Sequence, residues 1–222
     1  MRLGRPLPRA FFARPTLDVA RDLVGCVFTR RCADGSVVAG RLVEVEAYLG
    51  EGLDPGSHAH RGPTPRNRSM FGPPGRLYVY RSYGIHRCAN VVTGAPGEGG
   101  AVLLRAVEPV AGAEFMRVQR GLPAGAPVDR RLAGGPGRLG EAFSLELGHD
   151  GRSLLRGEFT VRGRGEGPAP RVLATRRIGL TKGAELPWRF VEAGSPWLSR
   201  AAPGEARAQR AVRAHTSRIK AG

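Results

Sequence analysis

Lysine is almost missing from this sequence: of 35 basic residues only Lys182 and Lys220 are lysine, and the rest are arginine. Neither lies between residues 40 and 108, where the other reactive side chains gather, so chemistry through a lysine Schiff base is not expected there. Cysteine is scarce as well. Cys26, Cys32 and Cys88 are an odd number at spacings that match no zinc motif, and no secretory signal opens the chain, so a reducing cytoplasm is expected. There is no apolar run of about 20 residues to cross a bilayer, and the core region has no long basic amphipathic helix to lie on one. No internal repeat and no clear linker divides the chain.

Acidic residues are the other deficit. Nineteen of them against 35 basic residues leave a net charge of +16 and a pI near 11.4, more than solubility requires. Such an excess draws a protein to a polyanion, nucleic acid first among them. A G+C-rich genome would also favour arginine over lysine, so the total charge is the better evidence. At 222 residues the chain suits one well-cored domain.

The informative stretch is residues 40–108. All four tyrosines, Tyr48, Tyr78, Tyr80 and Tyr83, lie in it, with three of the five histidines. GRLVEVEAY alternates with a period of two, which predicts a strand with Val43, Val45 and Ala47 on one side and Glu44, Glu46 and Tyr48 on the other. A half-solvated edge strand would carry the same E-x-E. Leu77 to Tyr83 and Ile85 to Thr93 read as two further strands joined at Ser82-Tyr83-Gly84-Ile85. Hairpin tips usually carry small polar residues. A tyrosine there, flanked by Arg76, Arg81 and Arg87, suits a wedge for a nucleic-acid groove, the arginines holding phosphates, although a tip ring can also pack on a neighbouring loop. Ala101 to Val107 is an apolar strand interrupted by Arg105. A guanidinium cannot shed its proton, so a carboxylate partner is expected, either Glu46 or Glu44. The pairs His58-x-His60 and His86-x-Cys88 invite a metal reading that no second-shell carboxylates support, and no metal or cofactor is expected.

Elsewhere, residues 1–10 form a basic arm that leads into the fold at Phe11-Phe12. Thr16 to Val24 reads as a packing helix with Thr16 as N-cap and Gly25 as its stop. Cys26 to Thr29 pairs with Val37 to Tyr48 around Asp34-Gly35. Thr64-Pro65 suggests a helix start carrying Arg66, Asn67 and Arg68. Ala113 to Arg120 is a short helix, and GGPGRL precedes a helical Gly140 to Leu147 with Arg138 placed to meet a phosphate. Residues 148–170 are turn-rich; Val172 to Leu180 and Pro187 to Val191 should be strands. From 201 to 222 alanine and arginine dominate, which predicts a flexible basic tail.

Taken together, GRLVEVEAYLG, SHAHRGPTPRNRSMFGPPG, LYVYRSYGIHRCANVV, VLLRAVEP, GGPGRL, RIGL and GSPWLSR resemble the alkyladenine (3-methyladenine) DNA glycosylase family over roughly residues 10–200. The resemblance implies a monofunctional enzyme of base excision repair. It would flip a damaged purine from the duplex, 3-methyladenine or among deaminated bases hypoxanthine, and hydrolyse the N-glycosidic bond to leave an abasic site. Glu46 would activate water and Arg105 would orient it. Tyr48, His58 and Tyr80 would line the base pocket, Asn90 would crowd the amino group of guanine, and Tyr83 would fill the gap in the stack. The loop from Tyr48 to His58 is one residue longer than the family pattern, so His60 stands as an alternative to His58. The segment from Asn90 to Arg105 is also slightly longer.

The chemistry agrees with that implication. Breaking an N-glycosidic bond builds positive charge on the sugar, which a nearby carboxylate stabilises while taking a proton from water. A cationic alkylated base already leaves readily and stacks well on tyrosine; hypoxanthine is neutral and would need a proton supplied. Two rivals compete: an architectural DNA-binding protein that bends the minor groove, and an enzyme acting on RNA or free nucleosides. The first explains the charge and Tyr83 but not the cluster of Glu46, Tyr48 and Arg105.

The expected fold is a single α+β domain, residues 1–200. It has a mostly antiparallel curved sheet, helices at its sides and a protruding hairpin that intercalates in DNA. Arg66, Arg68, Arg76 and Arg138 are expected at the DNA backbone. Double-stranded DNA is the expected partner, the membrane is not, and the protein is expected to be a monomer in the cytoplasm, on the nucleoid if prokaryotic.

Overall fold

The structure, a computed structural model, describes residues 3–165 and 167–202. The basic tail expected over 201–222 falls outside them beyond Ala202, which is buried.

Eight strands form one curled antiparallel sheet: β1 (Val27–Arg31), β2 (Val37–Tyr48), β3 (Leu77–Ser82), β4 (His86–Thr93), β5 (Gly100–Ala111), β6 (Phe159–Arg162), β7 (Val172–Thr175) and β8 (Arg189–Glu192). Their order is β3-β4-β5-β2-β1-β6, with β8 joined to β2 and β7 to β8. Among the described residues five α-helices pack around it: α1 (Arg9–Phe12), α2 (Thr16–Leu23), α3 (Ala113–Gln119), α4 (Arg130–Ala133) and α5 (Pro136–Ala142). The main core lies under α2, where Val19, Ala20 and Leu23 meet Leu42, Val45, Ala47, Val102 and Leu104. The single-domain α+β architecture with a curved antiparallel sheet is as expected.

Strand β2 organises the whole. One of its edges follows β5, and the other pairs first with β1 (Val37 to Arg41) and then with β8 (Glu44 to Glu46). The register with β5 shifts three times, once between Ala39 and Gly40 and then on either side of Glu44, with Leu42 opposite Val107, Glu44 opposite Ala106 and Val45 opposite Leu104. Val43 and Arg105 are thus extra residues in a doubly bulged ladder. This corrects the simple alternation. Val43 leaves the company of Val45 and Ala47 for a separate small cluster with Ala106 and Val191, and the strand changes which side chains it turns to the core.

Other local readings are corrected too. Thr16 is the first residue of α2, not its cap; Pro15 is the cap residue, and the Thr16 hydroxyl accepts a hydrogen bond from Thr93 (3.0 Å). Thr64-Pro65 starts no α-helix. The buried Asn67 instead stitches the loop, accepting from the Thr64 N–H (2.6 Å) and donating to the carbonyls of His58 (2.8 Å) and Gly62 (3.1 Å), and only a short 3-10 turn, Arg68–Phe71, follows. The helix expected over Gly140 to Leu147 runs earlier, because Pro136 serves as its first residue. The turn-rich stretch hides β6, and the N-terminal arm is tied to it: the Leu7 N–H donates to Val161 O (2.9 Å) and the Gly163 N–H to Arg5 O (2.9 Å).

Candidate active site

The change of face in β2 places Glu44, Glu46 and Tyr48 along a strand flanked on one edge by β5 and on the other by β8. From β5, Arg105 turns its guanidinium onto both carboxylates: Nε donates to Glu44 (2.8 Å) and Nη1 to Glu46 (3.1 Å). The sequence left Glu44 and Glu46 as alternatives, and the arginine takes both. Its own carbonyl accepts from the Gly135 N–H (2.8 Å), with Ala106 bridged to Gly134, so the GGPG segment anchors the backbone of this bulged arginine. From β8, Arg189 donates to Glu44 (2.9 Å), and Ser199 adds its N–H (2.7 Å) and hydroxyl (2.7 Å).

Both glutamates are completely buried. For Glu44, burial alone would raise the pKa, but Arg105 and Arg189 outweigh it and hold the carboxyl below its ordinary value. Burial opposes the charge of Arg105 in the same way, and Glu46 and Glu44 raise its pKa nonetheless. Glu46 is held on both oxygens, Oε2 by Tyr48 OH (2.9 Å) and Arg105, Oε1 by the Ile178 N–H (2.8 Å).

Immediately in front of this cluster is a pocket lined by Tyr48, Gly56, His58, Met70, Tyr78, Tyr80, Asn90 and Leu180. Four of these, Tyr48, His58, Tyr80 and Asn90, are residues singled out from the sequence. Tyr78 and Tyr80 stack at 5.5 Å, His58 stands edge-on to Tyr80 at 4.6 Å, and its Nδ1 is 3.0 Å from Tyr78 OH. Asn90 donates to the Tyr78 carbonyl (3.1 Å), which fixes its amide at the wall. Glu46 is not itself a lining residue; it touches the pocket through Tyr48. Burial raises the pKa of the Tyr48 phenol, with the Glu46 charge adding to it, and pushes the Tyr78 phenol up to about 12, so both rings are neutral. Burial, helped by Arg66, lowers that of His58, whose imidazole is therefore neutral at pH 7. His60 instead lines an adjoining groove with His58, Arg61 and Lys182.

Two loops make the pocket's outer wall, and a buried ion pair clips them together. Arg177 donates to both oxygens of Asp54 (2.5 and 2.7 Å), to the carbonyls of Ala47 (3.0 Å) and Gly183 (3.2 Å), and packs over the rings of Tyr48 (4.7 Å) and Trp188 (5.1 Å). Its neighbour Ile178 is the residue whose N–H holds Glu46.

Beyond the pocket the β3–β4 hairpin carries Tyr83 at its tip, 87% exposed. Tyr83 (φ 48°) and Gly84 (φ 74°) both have positive φ and Ile85 N–H donates to Ser82 O (3.1 Å); with Ser82 opposite His86 the loop holds three residues, 83–85. Of the arginines expected at a polyanion, Arg66 reaches the Arg81 carbonyl (2.9 Å) and Arg76 the Gly151 carbonyl (2.8 Å); Arg68 is exposed on the 3-10 turn, and Arg138 lies in the first turn of α5, 3.5 Å from Gly134 O. Among the described residues no group of three His, Cys, Asp or Glu is arranged to hold a metal ion, and no helix is long and apolar enough to cross a membrane.

A carboxylate and an arginine are thus locked together behind an aromatic pocket, and an exposed ring stands at a hairpin tip. The family model for methylpurine-DNA glycosylase matches residues 10–196. The chain belongs to the methylpurine-DNA glycosylase family. A protein of Methanoculleus marisnigri named "Putative 3-methyladenine DNA glycosylase" is 47% identical over 197 residues, covering 87% of this chain and 98% of the relative. Proteins of the same name from Nitrobacter winogradskyi and Chlorobaculum tepidum are 48% and 44% identical, covering 89% and 87% of this chain and 89% and 90% of their own.

Several residues of this glycosylase's site escaped the sequence reading. Tyr78 carried a signal that went unused: it lies two residues from Tyr80 on one strand, hence on the same face. Arg189, like Arg105, interrupts an apolar run, a pattern that marks a paired cation. Arg177 and Ser199 lie inside RIGL and GSPWLSR, two of the stretches that carried the resemblance, without having been singled out, and Asp54 gave no local sign.

Proposed function

We propose that this DNA repair glycosylase extrudes an N-alkylated purine, 3-methyladenine above all, into the pocket of Tyr48, His58, Tyr78, Tyr80 and Asn90 and hydrolyses its bond to deoxyribose. The observation that carries the reading is the fully buried Glu46, held from three directions directly behind that pocket. Such a carboxylate is fixed where charge develops on the sugar and can take a proton from the attacking water. Arg105 keeps it in place. The neutral tyrosines stack on a cationic base, each favourable face being worth about 0.5 to 2 kcal/mol. Asn90, fixed at the wall by its bond to Tyr78, is placed to crowd the amino group of an unmodified guanine. Tyr83 enters the stack vacated by the extruded base, while Arg66, Arg68, Arg76 and Arg138 meet the backbone. Hypoxanthine, being neutral, gains less from the pocket and is released more slowly.

The test is single-turnover base release from duplexes with one alkylated adenine or one hypoxanthine. Glu46→Gln should bind the lesion yet release nothing measurable. Equal binding of intact and damaged duplexes, with no release by the wild type, would instead favour an architectural DNA-binding protein.

A further inference from the structure

The proposed chemistry uses only one carboxylate of the E-x-E pair. Glu44 does not line the base pocket, is fully buried, and receives four hydrogen bonds from Arg105, Arg189 and the N–H and hydroxyl of Ser199. A buried ion network of this kind is seldom the most stable filling for its volume, so a role in stability alone explains it poorly. We propose that Glu44 is a positioning residue that shares the charge of Arg105 and so keeps Glu46 basic enough to accept a proton from water. The inference rests on the reading of Glu46 as general base.

Two features lead to it. Arg105 uses separate edges of one planar guanidinium, Nε for Glu44 and Nη1 for Glu46, so Glu44 sets the plane and turn in which the arginine meets Glu46. The charges also balance: Glu44 and Glu46 face Arg105 and Arg189, two of each sign, in a site shut off from water. The remaining groups that face Glu46 are the Tyr48 hydroxyl, the Ile178 N–H and, electrostatically, Tyr80, with Arg177 behind the Tyr48 ring. None of them is an anion. Among the described residues Glu44 is therefore the one counter-charge that shares Arg105 with Glu46. Without it, two arginines act on a single carboxylate, which then holds its ionised form more firmly and is a poorer base.

The two signs of charge give opposite tests. Glu44→Gln keeps the shape and removes the negative charge; Arg189→Gln removes one positive charge and leaves the carboxylates in excess. Single-turnover release from a duplex with one N3-methylated adenine is measured from pH 4.5 to 9, with binding at fixed ionic strength and thermal unfolding alongside. That base is already cationic, so the acid limb does not report protonation of the leaving group. In Glu44→Gln the acid limb should move down by about half a pH unit or more, and the neutral-pH rate should fall by about two- to threefold or more, with lesion binding unchanged within about twofold. In Arg189→Gln the limb should move up. Ser199→Ala, which alters no charge, should lower the unfolding temperature and leave the limb where it was.

Slower release with an unmoved limb in both charge variants would reduce Glu44 to a structural role and overturn the proposal, as would shifts of the same sign. If one charge variant does not fold, the direction of the other still decides. Failure of the underlying reading looks different: the wild type would release no base, or Glu46→Gln would retain activity.

Discussion

Replacing Asp54 with asparagine puts the clip between the two pocket loops to the test. The substitution keeps the shape, so no cavity term enters. Asp54 is fully buried and serves four donors: two guanidinium nitrogens of Arg177 at 2.5 and 2.7 Å, and the N–H groups of Leu49 (3.2 Å) and Gly56 (2.9 Å). An amide nitrogen in place of one oxygen turns a donor towards donors, and Arg177 cannot lose its proton to compensate. Breaking a buried pair from one side typically costs about 3 to 5 kcal/mol. In a chain of this size each kcal/mol moves the midpoint by roughly 2 to 4 °C, so a fall of about 6 to 20 °C is expected. Arg177 keeps the carbonyls of Ala47 and Gly183 and the rings of Tyr48 and Trp188, which places the result in the lower half of that range. The assay is thermal unfolding by circular dichroism at pH 7.5, with single-turnover base release measured well below the transition. Release should fall too, because the loop that loses its clip is the one whose Ile178 N–H holds Glu46. A midpoint within about 2 °C of the wild type would refute the account of the clip, and normal release despite a large fall in midpoint would separate the clip from Glu46.

Tyr83→Ala should leave stability within about 0.5 kcal/mol, since the ring touches little and alanine bears the same positive φ. Base release from duplex DNA should nevertheless drop about 5- to 150-fold, the equivalent of a lost base–aromatic stack; unaltered release would remove the tip from the mechanism. Stability should decline on the acid side. His58 resists protonation in the fold and takes a proton near pH 6.5 when unfolded, so stability falls as pH drops below 6.5 towards its lowered folded value. Glu44, with a lowered folded pKa, contributes stability above its ordinary 4.5 that is lost as pH falls through the folded value. Urea unfolding of wild type and His58→Gln at pH 5 and 7.5 checks the first part, the variant showing the smaller difference. Lys182 lines the groove beside the pocket although it is far away in sequence. Borohydride should trap no covalent complex with DNA, and a trapped adduct lost in Lys182→Met would contradict hydrolysis without strand cleavage.

The sequence disclosed those parts of the site whose signals are local. An arginine inside an apolar strand announced a carboxylate partner, and a tyrosine beside glycine at a turn announced an exposed tip. Both follow from rules that act over a few residues. Asp54 and Arg177 meet across 123 positions, with neither residue unusual where it stands, so no short pattern could join them. The GGPG segment was ambiguous for a related reason: glycines before a helix suit a phosphate, but they also let a backbone come close to Arg105, and only the tertiary fold shows that contact. Thr16 failed as a cap because Thr93, remote in sequence, offered its hydroxyl another partner. The alternation along β2 was right from Glu44 onward and wrong at Val43, which sits on the bulge.

The bulge at Val43 works like an odd tooth in a gear. Upstream of it β2 is scaffold, and from Glu44 onward it presents chemistry; the extra residue lets one continuous strand do both without a loop between them. Leu42 and Val45 both face the core with Glu44 turned the other way between them, so the bulged Val43 keeps the two stretches in phase. Were Val43 drawn back into regular pairing, Glu44 and Glu46 would turn towards the hydrophobic side and lose Arg105. The site can thus be disarmed by a slip of the ladder with every one of its side chains still present.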